Sequence, residues 1–528
     1  MRNNRFGGVF IFLFFGVLFL TGCTPSYDLI IKNGTLIDGT GLPSFTSDIG
    51  ITGGKIITIG TLRERAAQTI DAEGLYVTPG FIDLHTHCDS ALIHDKLKQA
   101  ANYLTQGVTT VVTGNCGGGT YEVEEYFKRL EKQGIGPNVI HLIGHGTVRR
   151  AVLGMEDREP TSEELGRMKT LLEQGMNQGA WGFSTGLFYA PGSYARTDEI
   201  IELARTVNKK NGIYATHLRD ESSYTTGLLE SVKEAIRIGE ESGIPVEISH
   251  IKALGRPVWG KPAEVCALIE NARQRGVKVF ADQYPYTASS TALAAAVIPR
   301  WIQADGQMIN RLKDPALQSK IREEIGENIN RRGGPESLVI VSFPKNQEFA
   351  GKSLLEISRI LDRPVVDTAI YLILNGAPGV ISFNMNESDL EFFMTKDYVS
   401  TGSDGTVQLP GMNFSHPRSY GTFIRKIRKY AIEKNLISLE FAIRAATALP
   451  SEVLNLSDRG RLKENHAADI IIFDLEQITD KATYQAPHEF SEGIRHLLIN
   501  GEYVIKNGRL TNTLAGIPLK MGSGKPAL

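Results

Sequence analysis

The sequence predicts an α/β fold, a (β/α)₈ TIM-like barrel with a small β-sandwich domain built from both chain ends. Three observations predict it. Eight apolar runs are rich in Val, Ile and Thr, helical stretches such as Glu163–Asn177 and Leu228–Ser242 separate them, and short strand-like segments occupy both ends of the chain. Apolar strands that alternate with helices are typical of a parallel sheet covered on both faces. Eight such units indicate a closed barrel.

The predicted barrel domain spans residues 79–454. Its strands are FIDLHTH (81–87), VTTVVTGNC (108–116), NVIHLIGH (138–145), WGFSTG (181–186), IYATHL (213–218), VEISHI (246–251), VKVFADQ (277–283) and YVSTGSD (398–404). Between the last two strands the chain makes an excursion too long for a simple strand-to-helix connection. We expect residues 286–350, approximately, to form a lid over the barrel mouth, with a surface elaboration without function as the alternative.

The small β-domain is predicted to combine residues 23–78 with residues 455–528. The first segment contains YDLIIKNGTLIDGTG and DIGITGGKIITIG, whose Asn-Gly and Gly-Gly pairs are typical of hairpin turns. The second segment contains ADIIIFDLE and HLLINGEYVIKNGRL, which have the same pattern. This similarity in type suggests one domain assembled from the two chain ends.

Residues 1–22 are predicted to be a lipoprotein signal peptide. A basic start, MRNNR, precedes an apolar run from Phe6 to Leu20, which is shorter than the roughly 20 residues that a membrane-crossing helix needs. The run ends in LTGC, which resembles the bacterial lipobox, so Cys23 is the expected lipidation site. An ordinary cleaved signal followed by a stray cysteine is the alternative. We expect an exported protein, lipid-anchored in the cell envelope and on the outer membrane if the cell is Gram-negative.

Charge and cysteine content narrow the function classes. The 528 residues include 57 basic and 59 acidic side chains, a balance that argues against nucleic acid as a partner. A membrane is expected only through the lipid anchor. Besides Cys23 the chain has Cys88, Cys116 and Cys266, and an odd number in an exported protein leaves at least one thiol unpaired.

The stretch FIDLHTHCDS (81–90) places His85 and His87 one residue apart at the end of an apolar run. Side chains alternate faces along a strand, so the two imidazoles point the same way, roughly 6.6 Å apart. Two imidazoles on one strand can share a metal ion. Considered alone, the pair fits a solvated strand end equally well.

The other predicted strands end in polar residues as well, and this decides between the two interpretations. These residues are Cys116, His145, Ser184, His217, His250, Asp282 and Asp404. In such barrels the carboxyl ends of the strands converge on one mouth, where catalysis takes place. Histidines that repeatedly end strands therefore favour a metal centre at that mouth.

The same segments resemble the N-acyl-D-amino-acid deacylases, or D-aminoacylases, of the amidohydrolase superfamily, over nearly all of the mature chain. The motifs are FIDLHTH, GNCG, STGLFYAPGSYA, THLRDE, SHIK, DQYPYTASST, GSDG and HPRSYGTF. The HxH pair and the final Asp are shared with hydantoinases and dihydroorotases. The GNCG cysteine together with SH-x-K and HPR is more specific.

The resemblance implies a tight Zn²⁺ site formed by Cys116, His217 and His250. It leaves open a second, weaker site in which His85 and His87 share Cys116. Many relatives bridge two metals with a carboxylated lysine from the fourth strand, but here that strand reads AWGFSTG. A cysteine thiolate can bridge instead.

The resemblance also assigns chemical roles. Asp404 matches the family's general base, which would take a proton from a metal-activated water and pass it to the departing amine. Arg418 matches the arginine that binds the substrate α-carboxylate, and Lys252 and Tyr284 match further substrate contacts. A surface ion pair for Lys252 and core packing for Tyr284 are the alternatives. Where relatives often have a second histidine, this chain has Ile251, expected to face away from the metal.

The expected activity is zinc-dependent hydrolysis of N-acyl-D-amino acids to a D-amino acid and a carboxylate. The alternative is a dipeptidase acting on peptides with a D-configured C-terminal residue, such as cell-wall fragments. A cyclic-amide hydrolase is disfavoured by the missing bridging lysine. A surface-anchored binding lipoprotein that lost catalysis would show a gap in the set of site residues, and the sequence shows none.

Overall fold

A computed structural model of the chain describes residues 26–411 and 415–522. The predicted signal peptide and Cys23 lie outside the described residues. Within the described ranges, no helix combines the length and the apolar character needed to cross a bilayer.

The strands are named in chain order. They are β1 (Tyr27–Leu36), β2 (Phe45–Thr52), β3 (Lys55–Gly60), β4 (Ala66–Asp71), β5 (Tyr76–Pro79), β6 (Phe81–Asp83), β7 (Val108–Thr113), β8 (Asn138–Gly144), β9 (Gly182–Gly186), β10 (Ile213–His217), β11 (Val246–Ile248), β12 (Val279–Gln283), β13 (Ser289–Ala292), β14 (Leu338–Ile340), β15 (Gly379–Ser382), β16 (Val399–Thr401), β17 (Ile470–Phe473), β18 (Ile494–Ile499), β19 (Glu502–Lys506) and β20 (Arg509–Leu510).

The α-helices are named in the same way. They are α1 (Asp89–Leu92), α2 (Ala101–Leu104), α3 (Val123–Gln133), α4 (His145–Leu153), α5 (Ser162–Asn177), α6 (Thr197–Asn208), α7 (Leu228–Ser242), α8 (Pro262–Gln274), α9 (Leu293–Val297), α10 (Arg300–Gln303), α11 (Met308–Lys313), α12 (Gln318–Arg331), α13 (Leu354–Ile360), α14 (Val365–Gly376), α15 (Glu387–Met394), α16 (Arg418–Arg425), α17 (Leu439–Ala446) and α18 (Ala448–Val453). A π-helix, Lys426–Glu433, continues α16.

The barrel consists of β6 to β12 together with β16, all parallel, in the order β16-β12-β11-β10-β9-β8-β7-β6. Each strand lies within one of the eight predicted runs, so the barrel prediction is confirmed. Closure takes place just beyond the first and last strands. The backbone N–H of Asp404 donates to the carbonyl of His85 at 2.9 Å, and the N–H of His87 donates to the carbonyl of Gly405 at 2.7 Å. The end of the last strand is thereby fixed beside the HTH segment.

Burial on both faces explains the unbroken apolar character of the strands. Every residue of β7, β8, β9 and β10 is buried, because one face fills the barrel and the other packs against helices. The helix α5 begins with a capping box between Thr161 and Glu164 and buries Met168, Leu172 and Met176. The predicted helices at Glu163–Asn177 and Leu228–Ser242 are confirmed to within one residue.

The small β-domain is built from both chain ends, as predicted. Nine strands form one mixed sheet in the order β20-β19-β18-β17-β5-β1-β2-β3, with β4 beside β1. The sheet is continuous and curled. Ile56 N–H donates to the His466 carbonyl at 2.9 Å, which ties β3 to the segment before β17. The enclosed core includes the buried side chains of Ile31, Ile49, Val77 and Ile472.

The excursion between β12 and β16 folds around a core of its own. The strands β13, β15 and β14 form an antiparallel sheet in that order, and its core includes the fully buried Leu293, Ile325 and Leu354. Since β15 pairs with both other strands, this unit continues to Ser382, beyond the predicted bound near residue 350. Its closing motion as a lid stays a prediction.

Candidate metal centre and active site

A cavity of about 340 Å³ opens at the carboxyl ends of the barrel strands. The predicted site residues that line it are His87, Cys116, His217, His250, Lys252, Tyr284, Asp404 and Arg418. His85, the remaining predicted ligand, is fully buried beside them. Residues from seven predicted segments are thus brought to one place, as the strand-end pattern indicates.

Cys116 lies at the centre of three imidazoles. Its Sγ is 3.4 Å from His85 Nε2, 3.7 Å from His217 Nδ1 and 3.7 Å from His250 Nε2. A sulfur and a nitrogen that bind one tetrahedral zinc ion are about 3.5 Å apart, given bond lengths near 2.3 and 2.0 Å. The distances from Cys116 to His217 and His250 are close to this value. In the described part of the chain, the ligand atoms that lie within 4.8 Å of one another around this cysteine are those of His85, Cys116 and His250, so the assignment of His217 to the same ion stays a prediction.

A second group of ligand atoms surrounds Asp404. Its Oδ1 lies 3.1 Å from His87 Nε2 and 3.6 Å from His85 Nε2. His85 Nε2 therefore faces both Asp404 and Cys116, so the two groups adjoin. The structure places Asp404 with the two histidines that were predicted to share Cys116 in a weaker site.

Three site residues have left-handed backbone conformations. The φ angles are 52° for Cys116, 39° for His250 and 48° for Asp404, values that are costly for most residues other than glycine. Each of them lies two or three residues beyond the end of a barrel strand. Beside Asp404, a Cβ at Gly402 would come within 2.3 Å of Asp282 Oδ1. Glycine at the first position of the GSDG motif thus allows the backbone to approach the buried carboxylate of Asp282.

Carboxylates face the imidazole nitrogens that point away from Cys116. Glu221 Oε1 is 3.0 Å from His250 Nδ1, and its Oε2 is 3.7 Å from His217 Nε2. Asp282 Oδ2 is 3.4 Å from His85 Nδ1. Such partners fix the tautomer and orientation of metal-binding histidines. Glu221 was missing from the predicted site, although its place in THLRDE, four residues after His217, was an available signal.

Two other strand-end residues have structural surroundings. His145 Nε2 lies 2.8 Å from Glu199 Oε1, and both side chains are buried with Arg149. Ser184 accepts a hydrogen bond from Gly117 N–H at 2.9 Å, which holds the loop that carries Cys116. A strand-end position alone did not distinguish these residues from those of the site.

The charge of Asp404 is set by Arg418. Burial alone would raise the pKa of Asp404, but the positive charge of Arg418, whose Nη1 is 2.7 Å from Oδ2, keeps it well below its usual range. Burial lowers the pKa of both His217 and His250 well below the usual histidine value. The site therefore presents an ionised Asp404 and neutral imidazoles at His217 and His250, the form that binds metal.

Burial raises the pKa of the Cys116 thiol well above its usual value, and the negative charge of Asp404 adds to this effect. A bound dication has the opposite effect, because it stabilises the thiolate. The thiol and the three imidazoles that surround it form a donor set suited to zinc, and their burial excludes competing water.

The predicted substrate contacts share one wall of the cavity. Lys252 is buried, with Nζ 2.5 Å from Glu221 Oε1 and 2.7 Å from His250 Nδ1. The ring of Tyr284 lies 4.9 Å from the guanidinium carbon of Arg418 and 5.8 Å from Lys252 Nζ. A surface ion pair does not describe Lys252, because its side chain is only 3% exposed.

Comparison with known proteins identifies the family. Residues 68–321 and 394–505 match the model of the amidohydrolase family. The chain belongs to this family. The internal stretch that the match leaves out, residues 322–393, falls within the excursion.

Individual relatives cover nearly the whole amidohydrolase. It is 36% identical to D-aminoacylase of Alcaligenes xylosoxydans xylosoxydans over 93% of this chain and 97% of that protein. A solved D-aminoacylase with a binuclear metal centre is 31% identical, with a TM-score of 0.80, covering 94% of this chain and 100% of that one. N-acyl-D-glutamate deacylase from Bordetella bronchiseptica, solved with zinc and a phosphonate inhibitor, is 30% identical, with a TM-score of 0.80 over 94% of this chain and 99% of that one. The resemblance to D-aminoacylases is confirmed, and the chain is a metal-dependent amidohydrolase.

Proposed function

We propose that this amidohydrolase is a zinc-dependent N-acyl-D-amino-acid deacylase, which releases a D-amino acid and a carboxylate. One observation carries the proposal: the cluster of Cys116, His217 and His250 opens into the same cavity as the Asp404–Arg418 pair. The relatives named D-aminoacylase and N-acyl-D-glutamate deacylase support this substrate class.

Zinc would be held by Cys116, His217 and His250, with a weaker second site at His85 and His87, and when bound it supplies Lewis acidity that activates water. Asp404 is ionised and its Oδ1 faces His87, so this carboxylate can accept a proton as general base. The same carboxyl group would then donate that proton to the departing amine nitrogen. Arg418 keeps Asp404 charged until the proton arrives.

Arg418, Lys252 and Tyr284 would bind the α-carboxylate of the substrate. A guanidinium can hold a carboxylate with two parallel hydrogen bonds, and the ring of Tyr284 lies against both cations. A free carboxylate beside the scissile amide would thus be fixed relative to Asp404.

A panel of N-acetyl-D- and N-acetyl-L-amino acids, with D-containing dipeptides, tests the proposal. We expect release of free amino acid from the N-acetyl-D compounds, loss of activity with a chelator and recovery with zinc. Hydrolysis of the L series at an equal rate, or activity that resists complete metal removal, would reject it. Faster cleavage of the dipeptides would favour the dipeptidase.

We also propose that the mature protein is exported and anchored in the cell envelope by lipid on Cys23. The support is the LTGC sequence after the apolar run from Phe6 to Leu20. In a bacterial host, Cys23→Ser should move the protein from the membrane fraction to the supernatant. Labelling with a fatty acid should be lost in parallel, and equal labelling of the variant would refute the anchor.

A further inference from the structure

Two arginines of the excursion lie beside the active-site cavity without a carboxylate partner. Arg332 directly follows α12, lines the cavity and is only 2% exposed. Arg300, the first residue of α10, is half-buried, and its Nη2 is buried without a hydrogen-bond partner. In the described part of the chain, no carboxylate oxygen lies within 4.0 Å of either guanidinium.

The groups that these arginines do contact are neutral. Arg332 donates from Nε to the Tyr224 hydroxyl at 2.6 Å and from Nη1 to Ser382 Oγ at 3.1 Å. The guanidinium of Arg300 lies over the Phe188 ring, 3.7 Å from its centroid. Burial lowers the pKa of Arg300 to about 10, since a cation shielded from water is unfavourable. A buried charge without a counter-ion destabilises the folded state.

Other charged side chains near these two arginines already have partners within the protein. In the same excursion, Arg311 Nη2 lies 2.9 Å from Asp305 Oδ2. Asp220, whose charge acts on Arg300, directs one carboxylate oxygen to the N–H of Ser222 at 2.8 Å and the other to backbone N–H groups at Thr225 and Gly227. That carboxylate is therefore already used by the backbone, and among the described residues Glu221 and Asp404, the other carboxylates that line the cavity, pair with Lys252 and Arg418.

Both arginines lie close to the place where the substrate would bind. Phe188 lies between Arg300 and a metal-site histidine, because its ring is stacked 5.5 Å from the His217 ring. Arg332 shares the cavity wall with Phe188, Glu221 and Lys252. An anion that pairs with Arg332 would therefore lie inside the cavity that holds the scissile amide.

We propose that Arg332, assisted by Arg300, forms a second anion subsite that selects substrates with a second carboxylate besides the α-carboxylate. The carboxylate would belong either to the side chain of an acidic D-amino acid or to a dicarboxylic acyl group. This inference rests on the proposed deacylase function and adds the substrate class. A guanidinium fork matches a carboxylate, and charge-assisted hydrogen bonds of this kind are the strong ones.

Matched acid and amide substrates test the subsite. We compare kcat/KM for N-acetyl-D-glutamate with that for N-acetyl-D-glutamine, and for N-succinyl-D-leucine with its terminal amide. In at least one pair the acid should be preferred by about ten- to a hundredfold, the range for a hydrogen bond to a charged group. The pair that shows the preference identifies the source of the carboxylate.

The variant Arg332→Gln should bring this preference towards one. The control Arg311→Gln, at an arginine that already pairs with Asp305, should keep the wild-type ratio. If Arg332→Gln does not fold, Arg332→Lys retains the charge without the fork and should lower the ratio in part. A ratio that is unchanged in the folded variant would overturn the role of Arg332.

The two proposals fail separately. If acids and amides are hydrolysed equally in both pairs, the subsite is rejected while the deacylase function stands. If no N-acyl-D-amino acid is hydrolysed, the deacylase function fails. The subsite is then judged by thermal stabilisation of the zinc-loaded protein with the same pairs, where equal stabilisation by acid and amide rejects it.

Discussion

The cations on the two sides of the cavity differ in their partners. On the barrel wall, Lys252 pairs with Glu221 and Arg418 pairs with Asp404. On the excursion side, Arg332 lines the cavity and Arg300 lies behind Phe188, and the two contact hydroxyls, carbonyls and aromatic rings. Paired charges hold reacting groups in place before substrate arrives. Guanidiniums without a carboxylate in the protein are suited to bind a second carboxylate of the substrate, besides the α-carboxylate assigned to Arg418 and Lys252.

The largest expected effect comes from removing one of the paired carboxylates. Asp404→Asn keeps the side-chain shape, and asparagine tolerates the left-handed backbone at this position. It removes the proton acceptor and leaves Arg418 unpaired, as the excursion arginines are. We expect kcat to fall by about 10³-fold or more, with zinc content close to that of the wild type.

Turnover and metal analysis on the same preparation check this prediction. Near-normal kcat in Asp404→Asn would exclude the role as general base. Loss of zinc together with activity would instead identify Asp404 as a ligand required for the metal.

The next effect is on the metal itself. Cys116→Ser replaces a thiolate ligand with a much poorer alcohol, so zinc affinity should fall by about a hundredfold or more. Chelator competition measures this directly. Cys266→Ala is the matched control, because Cys266 is buried in α8 and does not line the cavity. Equal zinc affinity in the two variants would refute the thiolate ligand.

Glu221→Gln tests the paired cation on the barrel side of the cavity. It leaves Lys252 without a carboxylate and weakens the orientation of His217 and His250, so zinc affinity should fall by about ten- to a hundredfold. KM should rise at saturating zinc, because Lys252 loses the carboxylate that holds its ammonium group in position for the substrate. Glu264→Gln, at an exposed residue paired with Lys261, is the control. A variant with wild-type zinc affinity would show that Glu221 does not position the imidazoles.

The smallest effect concerns acid stability of the metal-free protein. Burial keeps the pKa of His217, His250 and His416 well below the usual value, whereas the unfolded chain titrates near pH 6.5. The stability from these neutral imidazoles is fully present above about pH 6.5 and decreases as the pH falls. The excursion between Pro285 and Tyr398 contains no histidine.

We therefore expect Tm to decrease by several degrees from pH 7 to pH 5, with hydrogen exchange rising first in the barrel. Thermal unfolding and amide exchange of the metal-free protein measure both quantities. A constant Tm, or earlier exchange in the excursion, would contradict this assignment to the barrel histidines.

Much of the fold and site follows from local pattern. Strand alternation and the position of polar residues after apolar runs predicted the eight barrel strands and a set of candidate metal ligands at their ends. The family resemblance then assigned Cys116, His217 and His250 to the tight site. The same rule included His145 and Ser184, whose roles depend on neighbours from other elements. Glu221 escaped prediction because its two imidazole partners come from different strands.

By itself, the sequence determined which segments become strands and which side chains stand at their ends, because these properties depend on the backbone periodicity of a few consecutive residues. Only the tertiary structure decided which charges meet. Asp404 reaches His87 across 317 residues of sequence through barrel closure. Arg332 borders the cavity because the excursion folds around its own core beside the mouth, and such contacts depend on packing between distant segments.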